Sequence, residues 1–422
     1  MDLSVEEYIE LLFSKKPTEE PSDTQKPEEL EITIPEWYDE KKFNQARRFY
    51  WDNCFQFSSS MLLGLVAVFA IPSILKVLIS TRRSNSLYTS YKRYLSTVLH
   101  TVSWFEHDLK PGSLSWKSLM AVRTRHVKAS LGSKMKGVGI ISQRDLALTQ
   151  FGFIGMTIIK PDKFGIRQIQ PGDWEAYNHF WRTIGHAIGL KDKYNICRAT
   201  FEETREVCHI LNERVFRPCL TNVPEYFEHM SRALLDAMWC VNPTVNIDAL
   251  LYLTKHVVGV PGYVYTEEER ASLQDKIKEM LKGQFEDIGV DINKLVAEPA
   301  IEGCPKTSSK ILYLCDYDCI ETIPEYKNLG FVAKYRLAFN NITSTLYNTY
   351  LGRLYFNINF KVSLFFMKYF PFLAFPRFGY LASFVNVFEE DPTDNTEVKP
   401  NAEYYKQKSK IELPWYRAYL PF

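Results

Sequence analysis

Twenty-two consecutive residues, Cys54 to Leu75, carry no charge, and their centre reads Met61-Leu62-Leu63-Gly64-Leu65-Val66-Ala67-Val68-Phe69-Ala70-Ile71. A run of that length either crosses a bilayer or lies inside a protein large enough to surround it, because all-round apolarity looks the same in both settings. Ser58, Ser59, Ser60, Pro72 and Ser73 interrupt it, and Lys76 follows one turn on. Lipid penalises such interruptions, so the run reads as a buried helix of a large helical core, with a span over 55–79 left open.

The rest of the chain agrees with a helical core. Hydrophobic residues make up 46% and charged residues 24% of the 422. Apolar residues recur at helical spacing, and alternating strand patterns are sparse. The expected fold is all-α: one large helical domain, globin-like in general architecture, with few or no strands. A net charge of +1 gives no electrostatic reason to bind nucleic acid. Aromatics at 14% are abundant enough for large apolar cavities or contact with a bilayer interface. Eight cysteines lie scattered without a C-x-x-C pair, so reduced thiols are expected rather than a zinc site. The opening Met1-Asp2-Leu3-Ser4-Val5-Glu6-Glu7 has no basic or apolar leader character, which points to a cytosolic or cytosol-facing protein.

Four regions follow from composition. Residues 1–40 hold 13 Asp and Glu against 3 Lys, with four prolines, and read as disordered apart from a short helix at Val5 to Phe13. Residues 41–260 form the expected core, with helices over Leu87 to Glu106, Trp116 to Ser130, Ser142 to Ile158, Trp174 to Gly189, Phe201 to Val215, Pro224 to Trp239 and Ile247 to Val258. Residues 261–390 form a helical extension, opened by a Thr266 and Glu269 capping pair and ending in two stretches, a helix over Phe331 to Phe360 and an aromatic segment, Val362 to Phe388, broken by Pro371 and Pro376. The second packs many aromatics among Lys361, Lys368 and Arg377, which fits a segment in a headgroup layer or a lid on the core. Residues 391–422 are a polar tail with a small aromatic motif, Pro414-Trp415-Tyr416.

Candidate chemistry concentrates on two helices. Arg93 and Thr97 lie at i and i+4, with His100 three residues on, so all three share a face. Arg123 and His126 lie at i and i+3 beside Met120, Val122 and Val127, a polar pair in an apolar face. Ser142 with Asp145 is a capping box for the helix that carries Thr149 and Phe153. His179 and His186 stand two turns apart on the next helix and read as packing residues, and Trp181-Arg182 as a stack between helices.

Several chemistries are excluded by spacing. There is no H-E-x-x-H, no G-x-S-x-G and no G-x-x-x-x-G-K-[ST], and Gly152-Phe153-Ile154-Gly155 lies within a helix pattern rather than after a strand. Glu206-Val207-Cys208-His209 is the sole Glu-x-x-His, whereas a di-iron bundle needs two. An isolated histidine ligand survives, and haem accepts one protein ligand.

Four blocks in order carry a resemblance: Arg93-Tyr94-Leu95-Ser96-Thr97, Arg123-Thr124-Arg125-His126, Ile141-Ser142-Gln143-Arg144-Asp145-Leu146 with Thr149 and Phe153, and Phe180-Trp181-Arg182-Thr183-Ile184-Gly185-His186-Ala187-Ile188-Gly189. Over about residues 45 to 240 the chain resembles the rubber oxygenase catalytic-domain family, which includes the latex clearing proteins and the ER-bound oxygenase mpaB. The resemblance implies an all-α fold enclosing a b-type haem, and oxidative cleavage of carbon–carbon double bonds in isoprenoid chains by O2. It makes His126 the iron ligand, and Arg93 and Thr97 the Arg and Thr near the haem. Arg123, with Arg93, becomes a candidate to hold the cofactor. Two departures stand out. Ser96 occupies the position of a lysine in latex clearing proteins, and residues 61 to 79 contain no Asp or Glu to match the family's glutamate.

The expected function is therefore a haem b-dependent oxygenase acting on an isoprenoid or other unsaturated lipid-like substrate, at or near an ER-type membrane surface. Another haem-based oxidoreductase, or a non-enzymatic lipid-binding helical protein, would share most of these features.

Overall fold

The computed structural model describes residues 3–284, 288–305 and 310–400; Pro414, Trp415 and Tyr416 lie outside them. The fold is all-α. Fourteen helices of nine residues or more follow one another among the described residues: α1 Val5–Phe13, α2 Glu40–Asp52, α3 Cys54–Val68, α4 Pro72–Ser80, α5 Leu87–Glu106, α6 Leu114–Met135, α7 Gln143–Ile159, α8 Asp173–Ala187, α9 Phe201–Leu211, α10 Phe227–Trp239, α11 Ile247–Val258, α12 Glu267–Leu281, α13 Phe331–Tyr347 and α14 Tyr350–Tyr369. One antiparallel pair, β1 Val290–Asp291 with β2 Ile311–Leu312, is the sheet content there.

Local chemistry places the helix ends. Ser86, Ser113, Ser142, Thr200, Asn246 and Thr266 each cap a helix by accepting a backbone N–H from its first turn. The charge-free run does not make one helix. Phe69 to Ile71 close α3 and Pro72 starts α4, at a position where a missing N–H costs nothing. The two helices meet at 91°, and among the described residues no single helix is long and apolar enough to cross a membrane. The expected Phe331 to Phe360 helix is likewise split. Thr349 accepts from the Gly352 N–H at 3.1 Å and begins α14, which ends before Pro371.

The centre of the core is the contact of α3 with α7. Gly64 and Gly152 face each other so closely that a Cβ on Gly64 would overlap the Gly152 carbonyl, while one on Gly152 would stand 3.1 Å from the Gly64 oxygen. Around this contact α2 packs on α8, and α5 packs on both α6 and α10. A stack of rings runs through the first of these layers, with Tyr50 on Phe105 at 3.8 Å and Phe105 on Phe180 at 4.2 Å. A smaller cluster under β1 and β2 gathers Leu273, Ile277, Leu281, Ile292, Leu312 and Tyr317.

The N-terminal segment departs from the expectation of disorder. α1 spans the expected residues, but Tyr8 and Leu12 are fully buried, and the Tyr8 hydroxyl donates to the Tyr194 carbonyl at 2.9 Å. Beyond it, Glu20 pairs with Lys191 and accepts from the Tyr194 hydroxyl at 2.7 Å, and Pro21 bridges Ser142 in a short antiparallel contact. The acidic composition is real, yet Glu20, Asp23 and Glu40 meet Lys191, Arg123 and Lys110 on the core, and the apolar stripe of α1 is long enough to anchor the segment. All eight cysteines are free thiols, as expected; the sulfurs of Cys219 and Cys304 approach to 3.2 Å.

Candidate haem-binding cavity

A cavity of about 360 Å³ opens between the α3–α4 elbow, α5, α6 and α7, a volume within the range of small-ligand sites. The elbow supplies an apolar wall, Leu65, Val68, Phe69 and Ile74 from the charge-free run and Val77 and Leu78 from just beyond Lys76. α7 adds Leu146, Thr149 and Phe153. Three of the expected site residues, Arg93, Thr97 and His126, line this one cavity.

His126 sits on the α6 wall with its Nδ1 buried and without a hydrogen-bond partner. Burial, with the Arg93 and Arg125 charges adding to it, pushes its pKa down to about 4. The ring is therefore neutral at physiological pH, with a lone pair available to a metal. A buried nitrogen left unpaired costs free energy, which a ligand would recover. Of the two imidazoles at the cavity, His100 has both nitrogens engaged, which leaves His126 as the one uncommitted ring; a single imidazole beside an apolar wall fits a metal that brings most of its own ligands, as haem does.

Arg93 points one guanidinium nitrogen at Thr81 Oγ1, 3.1 Å away. Thr97 lines the cavity and donates its hydroxyl to the Arg93 carbonyl at 3.0 Å, so its proton is committed to the helix backbone. Ser96 accepts from Arg125 at 3.2 Å. His100 is pinned on both nitrogens, Nδ1 to Ser118 Oγ at 2.7 Å and Nε2 to Arg125 at 3.1 Å.

Arg123 does not reach the cavity. It pairs with Asp23 at 2.6 Å and donates to the Glu31 carbonyl at 2.9 Å, clamping the N-terminal segment. Helix phase explains the difference. At about 100° per residue, Val122, Arg125, His126, Ala129 and Ser133 share one face of α6, and Arg123 falls off its side. His179 and His186 lie apart from the cavity as well. His179 accepts from the Asp39 N–H at 3.0 Å, and His186 meets Thr33 at 3.3 Å. Arg182 stacks on Trp37 at 4.3 Å and pairs with Asp192.

Three further residues belong to the site without standing out in the sequence. Arg125 is visible there only as a neighbour of His126, although the spacing Val122, Arg125, His126, Ala129 marks it. Asp145 reads as a capping residue, and its carboxylate is indeed held by Ser142 at 2.8 Å and Ser73 at 2.6 Å, but it also lines the cavity. Asp391 arrives from the C-terminal region, far away in sequence, on a strap that Arg125 fixes by donating to the Val387 carbonyl at 2.7 Å and to that of Glu389. Glu390 on the strap pairs with Arg83 at 2.7 Å and Lys128 at 2.8 Å, which hold its carboxyl down at about 2. The carboxylates at the cavity are thus Asp145 and Asp391, and neither comes from the 61 to 79 elbow.

The histidines set an acid limit. His100, His126 and His179 are each lowered from 6.5 to about 4, burial being the largest cause for all three. Between those values the unfolded chain binds protons that the folded chain refuses, so stability contributed above pH 6.5 is lost as pH falls through about 4. In cofactor-free protein the urea midpoint is expected to drop across this window, and His100→Gln to flatten the drop. An unchanged slope would show that His100 titrates normally.

No family model and no curated protein matches the chain. Among solved structures, latex clearing protein LCP in the closed state matches at 18% identity with a TM-score of 0.42, covering 56% of this chain and 66% of that one. The match thus spans just under two thirds of the other protein's length, and a superposition that loose does not carry an activity from one chain to the other.

Proposed function

We propose that this chain is a haem-dependent oxygenase that cleaves carbon–carbon double bonds in an isoprenoid or other unsaturated lipid-like substrate with O2. The observation that carries the reading is His126, its buried Nδ1 unpartnered, at the wall of a cavity shared with Arg93 and Thr97, residues that the family resemblance also singles out. His126 would hold the iron. Haem, when bound, supplies the redox centre at which dioxygen is used.

The chain's own residues supply the remainder. Arg93, whose guanidinium is held only by Thr81 Oγ1 among the described residues, would offer a cation for a carboxylate of a b-type haem, while Arg125 and Lys128 are engaged by the C-terminal strap. Burial of the His126 ring beside Arg93 and Arg125 keeps it neutral and ready to ligate. The Leu65, Val68, Ile74 and Phe153 walls accept a hydrocarbon chain and exclude water from the reacting atoms. The Thr97 oxygen and Arg93 guanidinium orient polar atoms that enter this apolar space.

The test is the absorption spectrum of purified protein, oxidised and reduced, before and after reconstitution with haem, followed by product analysis on a polyprenyl lipid in air. A Soret band together with oxygen-dependent carbonyl products is the expected result. Protein that takes up no haem overturns the reading and leaves a lipid-binding protein. A Soret band without cleavage products leaves another haem-based oxidoreductase.

A further inference from the structure

Residues 327–388 contain seven Lys and Arg and no Asp or Glu, in a chain whose net charge is only +1. Eighteen of the twenty-eight exposed large hydrophobic side chains among the described residues fall between 331 and 388. They include Tyr350 at 80%, Leu351 at 74%, Phe365 at 57% and Leu381 at 83% exposure. Soluble proteins seldom leave so many large apolar side chains exposed within one segment without something to cover them.

The surface is rigidly mounted. On its inner side Asn357 of α14 accepts from the Phe55 N–H at 3.2 Å and donates to the Asp52 carbonyl at 2.8 Å, while Tyr347 of α13 donates to Asn357 at 2.9 Å. Leu364 and Met367 bury into the core, and Arg377 pairs with Asp236 at 3.0 Å. The outward rings are therefore not a core that failed to close. A groove of about 810 Å³ runs beside them, lined by Leu364, Phe365, Tyr369 and Phe388 on one side and Leu99 and Val102 of α5 on the other. His100 lines both this groove and the His126 cavity.

We propose that the α13–α14 face seats the protein in the headgroup layer of an anionic lipid bilayer, with the groove at its edge receiving a lipid chain. Exposed aromatic rings with Lys327, Lys361 and Lys368 exposed among them, and no acid between 327 and 388, are complementary to a negatively charged interface rather than to water or to a neutral protein surface. Neither helix qualifies as a span, so the face lies on the bilayer and does not cross it. The docking claim is independent of the cofactor; only the use of the groove rests on the oxygenase reading.

Flotation with vesicles tests it, using the full chain with or without bound haem. Protein is expected to float with phosphatidylserine-containing vesicles, to stay behind with phosphatidylcholine alone, and to be released by high salt. Two variants separate the contributions: Lys361→Glu with Lys368→Glu, and Leu351→Ser with Leu381→Ser. Each pair should lower partitioning by about tenfold or more with an unchanged circular dichroism spectrum and melting temperature. Equal partitioning of native and variant proteins overturns the proposal. So does failure to float combined with a dimer that the Leu351 and Leu381 substitutions dissolve, which makes the face a contact between two copies. A colourless protein that floats retains the docking surface and removes the oxygenase.

Discussion

Replacing His126 by alanine is expected to abolish the Soret band of the haem-loaded protein, while His100→Ala leaves it in place. The two imidazoles line the same cavity and both are lowered to about 4, so titration alone would not distinguish them. Their partners do. His100 spends one nitrogen on Ser118 and the other on Arg125, and a metal would have to break one of those bonds. His126 keeps a buried nitrogen with nothing to pair to. Alanine there removes the candidate ligand and leaves space at the cavity wall, so added imidazole should restore haem binding to His126→Ala. Loss of the band in His100→Ala with retention in His126→Ala would exchange their roles. Because a free nitrogen buried in a cavity is a liability to the empty protein, His126→Ala should not lower the stability of the cofactor-free form by more than about 1 kcal/mol.

The helical period makes this pair of walls legible in the amino-acid sequence. Arg93, Thr97 and His100, at four and three residues' spacing, have to share a face of α5, and His126 in an apolar stripe has to meet the interior. The period also misleads at Arg123, which is three residues from His126 yet turned far enough aside to reach Asp23 instead. Composition misleads at the N-terminus, where an acidic, proline-rich segment is the usual sign of a disordered chain. A short amphipathic helix and a few complementary charges are enough to order it, and sequence statistics do not register which basic residues of the core wait opposite. Asp391 is beyond reach altogether, since nothing local reveals that the chain returns to cover α6.

Gly64 carries the other large effect, and Gly64→Val is expected to destabilise the fold by about 3 kcal/mol or more. Glycine is a poor helix former, and an alanine in its place gains roughly 1 kcal/mol in an open helix. α3 is not open at that point. Any Cβ on Gly64 meets the Gly152 carbonyl, a backbone atom that cannot rotate away, and Val68 closes the other side of Gly152. The two helices must separate, and that contact is the one that sets Leu65 and Val68 opposite Thr149 and Phe153 across the cavity. Gly132 is the opposite case, a helical glycine on α6 with nothing within 4 Å of the added carbon. Gly132→Ala should therefore stabilise the cofactor-free protein by up to about 1 kcal/mol. Urea unfolding of the two variants gives shifts of opposite sign if the glycine contact builds the cavity. A Gly64→Val protein as stable as the native one would mean that α3 and α7 do not approach as closely as their backbones require. If Gly64→Val lowers both the urea midpoint and haem uptake, the charge-free run from Cys54 has its explanation: it is apolar because it must lie against α7 and wall the cavity on both sides of the bend at Pro72.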